Sequence, residues 1–138
     1  MSENITIGKV ILAGAGPGDP ELITLKLQKN LAIADVIITD RLVNPLIIEE
    51  NAKPGAEVIL AGKQGYNDAS ATREQINALM TTHALLGKTV LRLKGGDVAF
   101  FSNVLDELIT LKQHNIPFEI IPGITAASGA SAYAAIPL

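Results

Sequence analysis

Short apolar runs alternate along this chain with stretches whose apolar residues recur at helical spacing. Residues 9–13 (KVILA) are a compact apolar run that stops at Gly14, the pattern of a buried strand. Thr24 is placed to cap a helix over 25–34, with Leu27, Leu31 and Ala34 on one face. Residues 36–39 (VIIT) read as a second strand that delivers Asp40 and Arg41 to its carboxyl end. Asn44-Pro45 opens a short helix, since proline suits the first helical position. A third strand over 58–61 runs into Gly62-Lys63, and 64–71 reads as a mobile polar loop. Thr72 followed by Gln75 resembles a capping box, and the helix after it carries Ile76, Leu79, Met80 and His83 as far as Gly87. A fourth strand covers 89–93. Ser102 or Asn103 caps a helix with Val104, Leu108 and Leu111 inward, ending near Asn115. A fifth strand covers 118–121, and Pro122-Gly123 leads to Thr125, an N-cap for a small-residue helix. Strand and helix alternate throughout, which predicts an α/β fold: a mainly parallel five-stranded sheet flanked by helices.

Composition sharpens this picture. The 138 residues fit one domain on the usual scale of roughly 100–200 residues. A chain 48% hydrophobic and 4% aromatic, with mean hydropathy +0.32, suits Val, Ile and Leu strands buried on both faces. A net charge of −3 leaves no broad basic footprint, so nucleic acid is not an expected partner. No apolar stretch approaches the roughly 20 residues of a membrane span, and the start, Met1-Ser2-Glu3-Asn4, has no signal-peptide character. A soluble cytoplasmic protein is expected. Cysteine is absent, which excludes thiolate catalysis and disulfides, and His83 and His114 alone do not suggest a metal site.

The chemistry concentrates in two glycine-rich turns, Gly14–Pro20 (GAGPGDP) and Arg92–Asp97 (RLKGGD), each following a predicted strand. Two such turns at the carboxyl ends of parallel strands predict a cofactor crevice. The first turn is not a good dinucleotide fingerprint, because Asp19 stands where the third glycine or alanine is needed and Pro17 and Pro20 stiffen the loop. A turn that merely lets strand and helix pack accounts for one loop better than for both.

These turns, with 35–43 (DVIITDRLV), Gly62-Lys63 and 122–138 (PGITAASGASAYAAIPL), resemble the uroporphyrinogen-III C-methyltransferase family of the tetrapyrrole methylase superfamily, in order and spacing from Lys9 onward. GAGPGD and GGD alone would indicate the superfamily; RLKGGD and the run through AIPL narrow the match. The resemblance implies the first domain of the tetrapyrrole methylase fold. It also implies S-adenosylmethionine as cofactor, S-adenosylhomocysteine as its product, a tetrapyrrole substrate and a homodimer at full length. Carried over position by position, it implies cofactor contacts at Pro17, Gly95, Gly96, Asp97, Phe100, Thr125 and Ala126. It implies Asp40 as proton acceptor and Lys63 as proton donor, with no metal.

The residues by themselves are compatible with plainer roles. Asp40 could cap the segment after its strand, Lys63 could be a solvated surface lysine, and Thr125 a simple helix cap. Arg41 and Lys63 are candidates to bind substrate carboxylates, and Tyr66 to close over substrate. Arg92 and Lys94 alternate on a strand and are expected to share an exposed face, outside the site.

The chain departs from the family pattern at Thr39, where a tyrosine is usual, and at Val98, where a proline is usual. Ser102-Asn103 stands where a glycine-arginine pair is usual, which removes an arginine expected near the substrate. The expected division is an amino-terminal methylase domain over 1–122, with 123–138 beginning the linker to an otherwise absent second domain. Four readings stay open: C-methylation of uroporphyrinogen III to precorrin-2, methylation of a later corrinoid, a truncated non-catalytic cofactor-binding homologue and, last, an NAD-dependent enzyme.

Overall fold

Parallel strands require crossovers, and in this chain helices supply them. A computed structural model describes residues 6–61, 69–99 and 104–136. In chain order it runs β1 (Lys9–Gly14), α1 (Leu25–Leu31), β2 (Val36–Asp40), α2 (Pro45–Asn51) and β3 (Glu57–Ala61). It continues with α3 (Ala69–Leu85), β4 (Thr89–Lys94), α4 (Val104–Gln113), β5 (Phe118–Ile121) and α5 (Ala126–Tyr133). The five strands form one sheet in the order β3-β2-β4-β1-β5, and every strand pairing in it is parallel.

Alternation along the central strands divides two cores. Ile11, Ala13, Ile37, Leu91 and Leu93 face Leu27 and Leu31 of α1 and Ile47 of α2. Val10, Leu12, Val36, Ile38 and Val90 face Met80 and Ala84 of α3 and Leu111 of α4. Each fully buried leucine or isoleucine contributes roughly 1.5–3 kcal/mol, so both layers are held strongly. β1 and β4 are neighbours, yet β1 leads to a helix on one face and β4 to a helix on the other. Their carboxyl ends therefore open a crevice between diverging loops.

The caps follow the sequence. Thr24 Oγ1 accepts from Leu27 N at 3.1 Å, and Asn44 Oδ1 accepts from Leu46 N at 3.0 Å with Pro45 opening the helix. Two helix boundaries differ from expectation by more than two residues. α1 ends at Leu31 rather than 34, because Ala32, Ile33 and Ala34 turn back onto the carbonyls of Gln28 and Asn30, although Ala34 is still buried. α3 begins at Ala69, so Thr72 lies inside the helix rather than capping it, and 69–71 are helical rather than loop. The small residues before Thr72 favour helix as readily as loop, and the capping signature does not decide between them. Among the described residues no helix is long and apolar enough to cross a membrane.

Candidate functional site

Glycine lets the strand ends meet. Gly16 and Gly96 exchange both backbone hydrogen bonds, at 3.0 and 2.8 Å, and Ala15 N donates to Lys94 O at 2.7 Å. The turns after β1 and β4 thus form one hydrogen-bonded unit. A Cβ on Gly14 would lie 2.3 Å from Gly96 O, and one on Gly123 would lie 2.5 Å from the same oxygen. Neither backbone can give way, so three strand ends converge only where side chains are missing. Pro17 is held from the other side, since a Cβ on Gly129 of α5 would fall 2.6 Å from Pro17 Cβ.

Above this junction lies a cavity of about 580 Å³, lined by Pro17, Asp40, Gly95, Gly96, Asp97, Thr125 and Ala126 among others. These are the described residues that the sequence marks as Asp40's site and the cofactor contacts. Lys63, Phe100, Tyr66 and Ser102-Asn103 lie outside the described residues. Arg41 is exposed and does not line the cavity, whereas Arg73 of α3 does.

Individual roles are sharper than the sequence suggests. Asp97 is a clamp: Oδ1 accepts from Gly123 N at 2.9 Å and Oδ2 from Ala99 N at 3.1 Å, tying the end of β5 to the turn after β4. Thr125 occupies the N-cap position of α5 but makes no side-chain capping bond. Its expected role as a cap is thus only positional, and the residue lines the cavity. Val98 is buried in the core with α3 and α4. Thr39 is buried too, and its hydroxyl donates to Asp40 O at 3.2 Å.

The expectation for Arg92 and Lys94 is overturned. They share a face, but that face is covered by α3 and α4, leaving Arg92 3% and Lys94 7% exposed. Arg92 Nη2 donates to Asp40 Oδ1 at 2.7 Å and Nε to Glu107 Oε2 at 2.9 Å, while Nη1 reaches the carbonyls of Ile38 and Leu93. Lys94 Nζ lies 2.5 Å from Glu107 Oε1, an ion pair without hydrogen-bond alignment. Asp40, Arg92, Glu107 and Lys94 therefore form an alternating chain of four charges that sums to zero, and all four line the cavity. Burial of such charges is tolerable because each is paired. Glu107 was legible in one respect: it falls on the same stripe of α4 as Val104 and Leu111, a carboxylate where an apolar residue is expected.

Residues 9–138 match the family of tetrapyrrole (corrin/porphyrin) methylases. The chain is 49% identical, over its whole length, to a uroporphyrinogen-III C-methyltransferase of Cyanidium caldarium, of which it covers 54%. It is 49% identical over 132 residues to a siroheme synthase of Nitrosomonas eutropha, of which it covers 27%. The chain thus spans about half the length of the first relative and about a quarter of the second. In structure it resembles the uroporphyrin-III C-methyltransferase of Thermus thermophilus, with TM-score 0.81 and 37% identity, over 95% of this chain and 54% of that one. A further structure of the Thermus enzyme, complexed with S-adenosylhomocysteine, matches with TM-score 0.72 and 40% identity, over 88% of this chain and 48% of that one. With the sheet, the glycine junction and the matched residues in agreement, the chain belongs to the tetrapyrrole (corrin/porphyrin) methylases.

Proposed function

We propose that this chain carries the cofactor-binding part of an S-adenosylmethionine-dependent enzyme that C-methylates uroporphyrinogen III to precorrin-2, on the route to sirohaem and cobalamin. The observation that carries this reading is the convergence of the turns after β1, β4 and β5 on one cavity in a chain of this family. The residues fit the cofactor. A Cβ on Gly95 would meet only Leu42 Cβ, at 3.6 Å, and one on Gly96 would find Ala126 N at 3.4 Å and Thr125 Cα at 3.8 Å. The missing side chain of Gly95 is therefore largely cavity space, while Gly96 lets the turn lie against the start of α5, and the volume falls within the usual range of about 300–1,000 Å³ for small-molecule sites.

The cofactor supplies a methyl group on a cationic sulfur, electrophilic without further activation. The protein's task is alignment and proton removal. Pro17, Gly95, Gly96, Thr125 and Ala126 would hold the cofactor, with Asp97 fixing the turn and Phe100 assigned to the same pocket. Asp40 stands at the cavity with Oδ1 held by Arg92. Its Oδ2, without a hydrogen bond to the described residues, accepts the proton that the alkylated pyrrole carbon must lose. Lys63 serves as the proton donor. Arg73 at the cavity supplies positive charge for the carboxylates of the substrate, with Arg41 exposed outside the cavity.

Tyr133 on α5 and Ile136 beyond it are exposed, which supports reading 1–122 as the methylase domain and 123–138 as the way into a second domain. We read the full-length protein as a cytoplasmic homodimer. The test is an assay of the intact protein with uroporphyrinogen III and methyl-labelled S-adenosylmethionine. Label in precorrin-2 is expected. Label appearing only when a later corrinoid is offered would move the substrate along the pathway, and cofactor binding without transfer would favour the non-catalytic reading.

A further inference from the structure

We propose that Glu107 is a positioning residue for Asp40, acting through Arg92. This rests on the reading of Asp40 as proton acceptor. Arg92 has a long side chain with several rotamers, and the one it adopts brings Nη2 to the Asp40 carboxylate. Glu107 selects it: by accepting from Nε at 2.9 Å it fixes the plane of the guanidinium, and the carbonyls of Ile38 and Leu93 take Nη1. Nη2 is then the remaining corner of the fork, and it meets Asp40 Oδ1 at 2.7 Å. The planar five-donor fork makes such transmission possible, because fixing one edge fixes the other.

The order of dependence is readable from burial. Glu107 is almost wholly covered, and Lys94 holds its second oxygen, so the Glu107–Arg92 contact forms inside the packed layer of β4 and α4. Asp40 sits at the open end of the network with its side chain 33% exposed. The inner pair is therefore the fixed one, and the outer carboxylate takes its orientation from it. α4 thereby sets which oxygen of Asp40 is held and which is left toward the cavity. Among the described residues Glu107 pairs with Arg92 and Lys94, whereas Asp97 holds Gly123 and Ala99, so S-adenosylhomocysteine binding should be independent of Glu107.

Two near-isosteric variants of the intact protein test this. Glu107→Gln keeps an acceptor for Arg92 Nε and should retain most of the turnover. Glu107→Met removes it and should lower kcat by about 10- to 100-fold, the scale on which outer partners orient a functional group, with the dissociation constant for S-adenosylhomocysteine unchanged. In an Asp40→Asn background Glu107→Met should cause no further loss, since both act on one step. An additive loss, or weakened S-adenosylhomocysteine binding, would overturn the proposal. A readout that needs no Glu107 variant is the Arg92 Nε–H resonance in wild type and Asp40→Asn. Protection from exchange in both is expected; free exchange in Asp40→Asn would mean that Asp40 orients Arg92, reversing the claim. Lack of turnover in the wild type together with retained Arg92 Nε–H protection would count against the proposed reaction and leave the geometry standing.

Discussion

Arg92 connects two carboxylates, Asp40 at the cavity and Glu107 beneath it, while almost no solvent reaches the guanidinium. Among the described residues, removing it leaves Glu107 with Lys94 alone and Asp40 without a paired cation. Arg92→Met is therefore expected to destabilise the fold by about 3 kcal/mol, the lower end of the range for breaking a buried pair because Asp40 is partly hydrated. Denaturant unfolding of the two proteins measures this. Asp40→Asn is expected to act differently. It keeps most of the packing but removes the proton acceptor, so kcat should fall by about 10²–10⁴-fold while S-adenosylhomocysteine still binds by calorimetry. Normal turnover would take Asp40 out of the chemistry. At this scale the sequence was half legible. The two-residue period correctly puts Arg92 and Lys94 on one face, but periodicity does not say what covers that face. The partner, Glu107, comes from a later helix, and a strand-to-helix ion pair leaves no mark in local spacing.

Between elements, the glycine junction and Asp35 tie segments together at opposite ends of the sheet. Gly14→Ala would drive a methyl into the carbonyl of Gly96, with backbone on both sides, and should cost about 1–3 kcal/mol while displacing the cofactor turn. Thermal unfolding and S-adenosylhomocysteine titration of that variant should both show the change; an unaltered titration would mean the junction does not shape the site. At the amino end of β2, Asp35 Oδ1 pairs with Lys53 Nζ at 2.5 Å and Oδ2 accepts from Thr89 N at 2.8 Å. The Lys53 hydrogen bond, then the Thr89 amide, hold this carboxyl below its ordinary value of 3.8. Because its folded pKa is lowered, its contribution is complete above the unfolded value and is lost as pH falls through the folded one. Asp35→Asn should therefore cost about 1 kcal/mol near neutrality, an amount for a partly exposed bond, and progressively less below about pH 4. Equal losses at pH 7 and pH 3 in urea unfolding would contradict that assignment. The strands, most helices and both turns were readable because apolar runs and caps are local. The strand order, with β4 inserted between β1 and β2, was not, since it depends on which long crossovers pack best.

For the whole molecule, a chain of net charge −3 sets cations among carboxylates at the cavity without becoming a basic protein. The charges that line the cavity are Asp40, Arg73, Arg92, Lys94, Asp97, Asp106 and Glu107, so the site is close to neutral and suits a cationic sulfur beside an anionic macrocycle. That balance could not be foreseen from composition, because it depends on α3 and α4 delivering Arg73, Asp106 and Glu107 to the ends of β2 and β4. The central claim is that the junction of three strand ends is an S-adenosyl cofactor site. It is tested most directly by calorimetric titration of the intact protein with S-adenosylhomocysteine, with NADH as the control ligand and Gly14→Ala as the control protein. Saturable binding of S-adenosylhomocysteine alone, weakened in the variant, is the predicted result. A folded protein that leaves S-adenosylhomocysteine unbound, or takes up NADH in its place, would contradict it.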